Sequence, residues 1–288
     1  MTPPSRADAG EKTVLESHDI RFAFFDVDGT IMQASHQISE QTVRALRSFR
    51  SRGGQFGLAS GRPYFGAKHI IKMLEICSPC VFFSGALVVQ PDTDSVILEE
   101  SLHPEQAAQV LEFARRENLF VEVYTREDYF IDAPSKYAAI HASYLGAPPK
   151  VRSLDKLIQS EPILKLEFIS QSKAEENKLR SFGAATPTLT FGFGYGAAHP
   201  DILFANITSL KASRQRAFEF ALAHLGVTTD KVAAFGDAEA DMPFLKLSGM
   251  GVAMGNAPQS VKDVANFVTK SVEEDGVAFA LDKLGPRY

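Results

Sequence analysis

The chain predicts an α/β fold, a Rossmann-like parallel-sheet core domain with an α+β domain inserted into it. Short apolar runs ending in Gly, Asp or Ser alternate with amphipathic stretches over 21–86 and again over 201–288, the pattern of a parallel sheet covered by helices. Between them, residues 87–200 alternate more in polarity and carry more charged helices. The 288 residues, 45% of them hydrophobic, suffice for one large or two ordinary domains. A net charge of -5 gives no footprint for nucleic acid or an anionic membrane. No apolar stretch approaches the roughly 20 residues that span a bilayer. Residues 1–20 read as a loosely held N-terminal extension without the apolar run of a signal peptide, which makes a cytoplasmic protein the expectation.

The first strand, Phe22-Ala23-Phe24-Phe25, closes in Asp26-Val27-Asp28-Gly29-Thr30. Residues two apart on a strand share a side, so both carboxylates can face one reaction centre. Like charges so close repel unless a cation or a proton lies between them. The pair therefore points to a metal and to phosphoryl chemistry. Ser39 then caps a helix whose Val43, Leu46 and Phe49 keep helical spacing and which Gly53-Gly54 ends. The strand from Gln55 to Ala59 runs into Ser60-Gly61-Arg62-Pro63, a helix follows from about Tyr64 to Leu74, and Val81 to Phe83 leads into Ser84-Gly85-Ala86.

The inserted block predicts strands at Val96 to Leu98, Phe120 to Tyr124, Tyr129 to Ile131, Leu164 to Ile169 and Leu189 to Phe193, with helices at His103 to Asn118 and Lys173 to Ser181. Phe191 to Gly196 has glycine at alternate positions, not the spacing of a dinucleotide loop, and reads as a flexible return towards the core. The core resumes with a helix from about Ser213 to Leu225, ended by Gly226, and the strand Val232 to Phe235 closing in Gly236-Asp237. Strands at Met250 to Ala253 and Phe267 to Thr269 complete it. Cys77 and Cys80 form a lone C-x-x-C with no second pair to make a zinc site, so two buried thiols are expected. No histidine falls in a recognisable ligand spacing.

Three strand ends thus carry Asp26 and Asp28, Ser60, and Asp237 with Asp241, and ligands of open parallel sheets bind outside such ends. In this order the motifs resemble those of the haloacid dehalogenase (HAD) superfamily, specifically the Cof-type phosphatases with a type-IIB cap. Asp26 to Thr30 is similar to the first motif, Ser60-Gly61-Arg62-Pro63 to the second and Gly236-Asp237 to Asp241 to the fourth. Gly255-Asn256-Ala257 and Glu274-Asp275-Gly276-Val277 fit the closing segments. The resemblance covers nearly the whole chain from Arg21.

What the resemblance implies is a Mg2+-dependent phosphatase for small phosphorylated metabolites, such as sugar phosphates, working through an aspartyl-phosphate. Asp26 would be the nucleophile and Asp28 the acid and base. Asp26, Asp28 (through its carbonyl), Asp237 and Asp241 would hold the metal and its water shell. Ser60 and Gly61 would bind the phosphate. A basic residue opens the helix before the late strand. Lys211 is the candidate by residue type, but the family's usual interval back from Asp237 lands on Arg214, which is the expected residue with Lys211 as the fallback. Ala240 and Ser84 stand where the family usually has Asn. The same core serves phosphomutases, and these departures motivate a third reading, a binding protein of low turnover. Tyr124, Arg126, Lys136 and Lys165 are the cap residues that could meet a polar leaving group. Nothing implies an obligate protein partner.

Overall fold

The computed structural model describes residues 19–195 and 200–284. Its centre is a five-stranded, all-parallel sheet. In chain order the strands are β1 (Phe22–Phe25), β2 (Gln55–Leu58), β3 (Cys80–Phe82), β4 (Leu87–Gln90), β5 (Ser95–Glu99), β6 (Val121–Tyr124), β7 (Tyr129–Ile131), β8 (Lys150–Val151), β9 (Lys165–Ser170), β10 (Leu189–Tyr195), β11 (Leu203–Ser209), β12 (Val232–Gly236), β13 (Met250–Ala253) and β14 (Phe267–Val268). The parallel sheet runs β14-β13-β12-β1-β2, so β1 lies beside both β12 and β2. β1 is buried on both faces: Ala23 and Phe25 join one apolar cluster, Phe22 and Phe24 the other. That two-sided burial explains its unbroken apolar run.

The helices that cover the sheet start and stop where the sequence predicts. Ser39 accepts from Thr42 N at 3.0 Å and caps Glu40–Ser51. Ser213 accepts from Arg216 N at 3.1 Å and caps Arg214–Leu225, which Gly226 ends in left-handed conformation.

A second sheet, six-stranded and mostly antiparallel, runs β10-β11-β9-β6-β7-β8. One face packs on the inserted helices through Val123, Leu166, Phe168, Ala205 and Ile207. A third sheet, β3-β4-β5, is tied to the parallel one by the Ala59–Val81 bridge.

Several expectations are corrected. The junctions at 86 and 200 each cut a hydrogen-bonded antiparallel pair, β3 with β4 and β10 with β11, because hairpin pairing continues past the turn where composition changes. Phe191 to Tyr195 is strand, paired residue for residue with β11, rather than a flexible crossing; its glycines sit at alternate strand positions, and Gly196 lies outside the described residues. Of the expected extension, residues 1–18 lie outside the described residues. Ile20 is fully buried, and the Asp19 carboxylate accepts from Arg21 and Lys231. Cys80 is buried, and burial pushes its thiol up to about 12, but Cys77 is exposed. No helix among the described residues is long and apolar enough to cross a membrane.

Candidate active site

The ends of β1, β2 and β12 open on one cavity of about 640 Å³, with the parallel sheet as floor and the six-stranded sheet as roof. Asp26 follows β1 directly. Its amide donates to Phe235 O at 3.0 Å, so register with β12 fixes it. Burial pushes the Asp26 carboxyl up from its ordinary value, and Asp241, Asp237 and Asp28 add to this against the opposing Arg214.

Asp28, two residues on, is half-exposed and held bidentately by Arg62, Nε to Oδ2 and Nη2 to Oδ1, both at 2.6 Å. Arg62 carries no role in the sequence reading, although it stands in the quoted Ser60 to Pro63 motif. Its position directly after the phosphate-loop residues was the available signal. Ser60 is buried, and its hydroxyl accepts from Arg62 N at 3.2 Å. Gly61 lines the cavity beside it.

Asp237 receives Thr30 Oγ1 at 3.1 Å and Asn256 Nδ2 at 3.2 Å. Asn256 also donates to Gly29 O at 2.9 Å and accepts from Val272 N at 3.0 Å, which ties the loop after β13 to the loop after β1. Gly29 has φ +79°, and a Cβ there would lie 2.3 Å from Asp237 Oδ2. Any side chain here would strain the backbone and push the Asp237 carboxylate aside. Burial and then the Asp241 charge push the Asp237 carboxyl up to about 7. Asp241 is buried; its Oδ2 accepts from the amides of Asp237 at 3.1 Å and Ala238 at 2.9 Å. Its Oδ1 is paired with Arg214 Nη1.

Arg214, the first residue of its helix, thus reaches the cavity, while Lys211 is exposed and outside the lining. Ala240 is exposed, and the backbone amides of Asp237 and Ala238 hold Asp241 instead. Ser84 is in left-handed conformation between Phe83 and Gly85, both also at positive φ. A Cβ on Gly85 would meet Ser213 C and O at 2.5 Å, so this turn seats the start of the Arg214 helix closely.

Carboxylate oxygens of Asp26, Asp237 and Asp241 lie within 4.8 Å of one another. An all-oxygen anionic donor set, with the Asp26 and Asp237 carboxyl pKa values raised, suits a hard divalent cation. The structure therefore brings Asp26, Asp28, Ser60, Gly61, Arg214, Asp237 and Asp241 together.

Of the four cap candidates, Lys165 lines the cavity and Tyr124 lies buried directly beneath it. Arg126 instead binds Asp94, and Lys136 reaches Gln171 at 3.5 Å. His141, Glu167 and Asn206 line the roof without having been anticipated. His141 sits on Lys136–Leu145, a helix that sequence reasoning missed, although Ser135 caps it and Gly146 ends it.

A family model describing haloacid dehalogenase-like hydrolases matches residues 23–281. Phosphatase YwpJ of Bacillus subtilis is 26% identical over 288 residues, covering 90% of this chain and 98% of its own. The 5-amino-6-(5-phospho-D-ribitylamino)uracil phosphatase YitU of the same organism is 26% identical over 265 residues, covering 88% and 93%. Among solved structures, a haloacid dehalogenase-like hydrolase from Bacteroides thetaiotaomicron aligns with a TM-score of 0.82 at 22% identity, over 92% of this chain and 99% of that one. A HAD subclass IIB sugar phosphatase aligns with a TM-score of 0.76 at 21% identity, over 91% and 98%. The chain belongs to the haloacid dehalogenase-like hydrolase family and is one of its phosphatases.

Proposed function

We propose that the protein hydrolyses small phosphorylated metabolites with the help of Mg2+, through a phosphoryl group carried on Asp26. The observation that supports this best is the Asp26 carboxylate, buried at the cavity floor with Asp28 oriented two residues away by Arg62. Asp26 attacks phosphorus, and the ester oxygen leaves with a proton from Asp28. Asp28 then takes a proton from the water that cleaves the aspartyl-phosphate. Ser60, the Gly61 amide and Arg62, at the opening of the helix Tyr64–Leu74, bind phosphate oxygens. Arg214 holds Asp241, which in turn braces the Asp237 loop. Asp26, Asp237 and the Asp28 carbonyl would hold Mg2+, with Asp241 at its water shell, and its charge would offset the repulsion between the acids and a dianionic phosphate. The inserted unit, about residues 100–209, serves as the cap, its sheet roofing the cavity.

Phenyl phosphate turnover with Mg2+, with and without chelator, tests the reading. Metal-dependent release of phosphate and a hydroxylamine-sensitive phosphoprotein are expected, the latter lost in Asp26→Asn. Intact Mg2+ binding without turnover of any phosphomonoester would instead favour a binding protein.

A further inference from the structure

Arg126, a residue the sequence offers to a leaving group, serves instead in a joint between the core and the inserted unit. Tyr64 opens the helix Tyr64–Leu74 directly after Pro63 of the phosphate loop, Asp94 sits in the turn between β4 and β5, and Arg126 in the turn between β6 and β7. The Asp94 carboxylate accepts from Tyr64 Oη at 2.7 Å and pairs with Arg126 Nη2 at 2.5 Å. Arg126 Nη2 also donates to Asp94 O at 2.9 Å, and the guanidinium lies 5.6 Å from the centre of the Tyr64 ring. Asp94 is in left-handed conformation, φ +53°, which aspartate tolerates better than most side chains. Its carbonyl and its carboxylate thus meet the same guanidinium.

Beside this joint the two parts share one apolar interior. Tyr124, Tyr129, Leu145 and Leu164 of the inserted unit belong to the same buried cluster as Ala67, Ile70, Phe82 and Phe83 of the core, and Phe65 stacks on Tyr124 and Tyr129. Apolar contact is non-directional, so it keeps the roof down without choosing where on the core it rests. The joint makes that choice, because hydrogen bonds and a guanidinium–carboxylate pair are directional. It does so from the phosphate loop itself, since Tyr64 is two residues beyond Arg62. Lifting the roof would part the joint and bare those apolar side chains to water. The cavity needs no such motion to meet solvent, because Ala34, His36, Glu273 and Tyr195 are exposed and line it.

We propose that Asp94 and Arg126, braced by Tyr64, are positioning residues that hold the roof at one place above the phosphate loop throughout turnover, so that ester and products exchange through the exposed rim and not under a rising cap. This rests on the phosphatase reading above.

Two measurements on the whole chain test it, with a hexose monophosphate and Mg2+. In a Cys77→Ser background, which removes the exposed native thiol, Lys68→Cys and Glu127→Cys place thiols on the two sides of the joint, where the wild-type side chains meet at 2.7 Å. Joined by a short bis-maleimide, this protein should turn over the ester within about two-fold of the same variant capped singly with N-ethylmaleimide. A loss of about ten-fold or more on joining would show that the roof must rise, and would overturn the proposal.

In the second measurement, Asp94→Ala and Arg126→Met should raise KM about ten-fold with kcat within about two-fold, and Arg126→Lys should recover most of that rise. The inhibition constant of inorganic phosphate, which reaches the floor only, should hold within about two-fold in all three. General loosening of the fold would not give that separation, and thermal melting shows that each variant is folded. An unchanged KM, or a KM that rises together with the phosphate constant, would overturn the joint's role. A kcat that rises with KM would mark a gate on a moving cap and overturn it too. If neither wild type nor the unjoined variant turns over any phosphomonoester, the phosphatase reading fails; if both are active and only joining stops turnover, this inference fails alone.

Discussion

Floor and roof of the cavity are both buried and both charged, yet their charges are arranged in opposite ways. The floor gathers four carboxylates, Asp26, Asp28, Asp237 and Asp241, against two guanidiniums, Arg62 and Arg214. Burial first, and the surplus negative charge after it, push the Asp26 and Asp237 carboxyl pKa values up. In the roof, burial works against the Glu167 carboxylate, but Lys165 and His141 bring its pKa below the ordinary value. The floor is left electrostatically incomplete, as the proposed cation and phosphate site would be. The roof pairs its charged groups with one another, although Glu122 Oε1 is buried without a hydrogen-bond partner among the described residues. Preorganised charge that awaits a ligand destabilises the empty protein, whereas a closed network does not.

Removing one charge from each region should therefore shift stability in opposite directions. Asp26→Asn is expected to lower phosphate-ester turnover about 1000-fold or more and to raise the melting temperature of the metal-free protein by a few degrees, since a repelled carboxylate is gone. Lys165→Met, by contrast, strands Glu167 and should lower unfolding free energy by about 3 kcal/mol in urea titration. A lower melting temperature for Asp26→Asn, or unchanged stability for Lys165→Met, would erase the contrast.

Between about pH 5 and 8 acidity probes the raised floor carboxyls, with the lowered His69 titrating in the opposite sense. With folded pKa values raised above the unfolded ones, Asp26 and Asp237 keep protons that the unfolded chain has lost above about pH 4. Their contribution to stability is present at the acid end and lost as pH rises through about 7, the Asp237 value. The metal-free protein should thus melt higher at about pH 5 than at about pH 8. Saturating Mg2+ should stabilise more at the alkaline end, because metal binding must displace those protons. A metal-free melting temperature that rises steadily over this range would show that the floor acids are not in mutual repulsion.

The floor was legible in the sequence and most of the roof was not. The four floor acids follow two strands, Asp26 and Asp28 after β1 and Asp237 and Asp241 after β12, so their positions could be read from strand ends, while their roles came from the resemblance. The family's interval favoured Arg214 over Lys211, and the helix start puts Arg214 in the cavity lining, which Lys211 does not join. Arg62 needed the fold, since its partner Asp28 is 34 residues away. The roof is assembled from β6, β9, β11 and the helix Lys136–Leu145, and no local pattern links them. The alternation Lys165-Leu166-Glu167-Phe168 does say that Lys165 and Glu167 share a face. It does not say that this face covers the floor. The helix itself was missed because its Ala, Ile and Leu residues form no single apolar stripe.

How the two regions are joined offers the finest test. Phe65 of the core stacks on Tyr124 and Tyr129 of the inserted unit, with centroids 6.4 and 5.9 Å apart. Nearby, Lys68 Nζ meets Glu127 Oε2 at 2.7 Å with about half of each side chain exposed. Phe65 is partly buried against the shared core, so Phe65→Ala should lower stability by about 2 kcal/mol. Lys68→Ala removes a solvated pair whose Coulomb gain is offset by side-chain entropy, and should change it by less than about 0.5 kcal/mol. High salt should then leave the melting temperature of wild type almost where it was. A Lys68→Ala loss as large as that of Phe65→Ala would mean that surface charge, not the aromatic stack, keeps the roof over the floor.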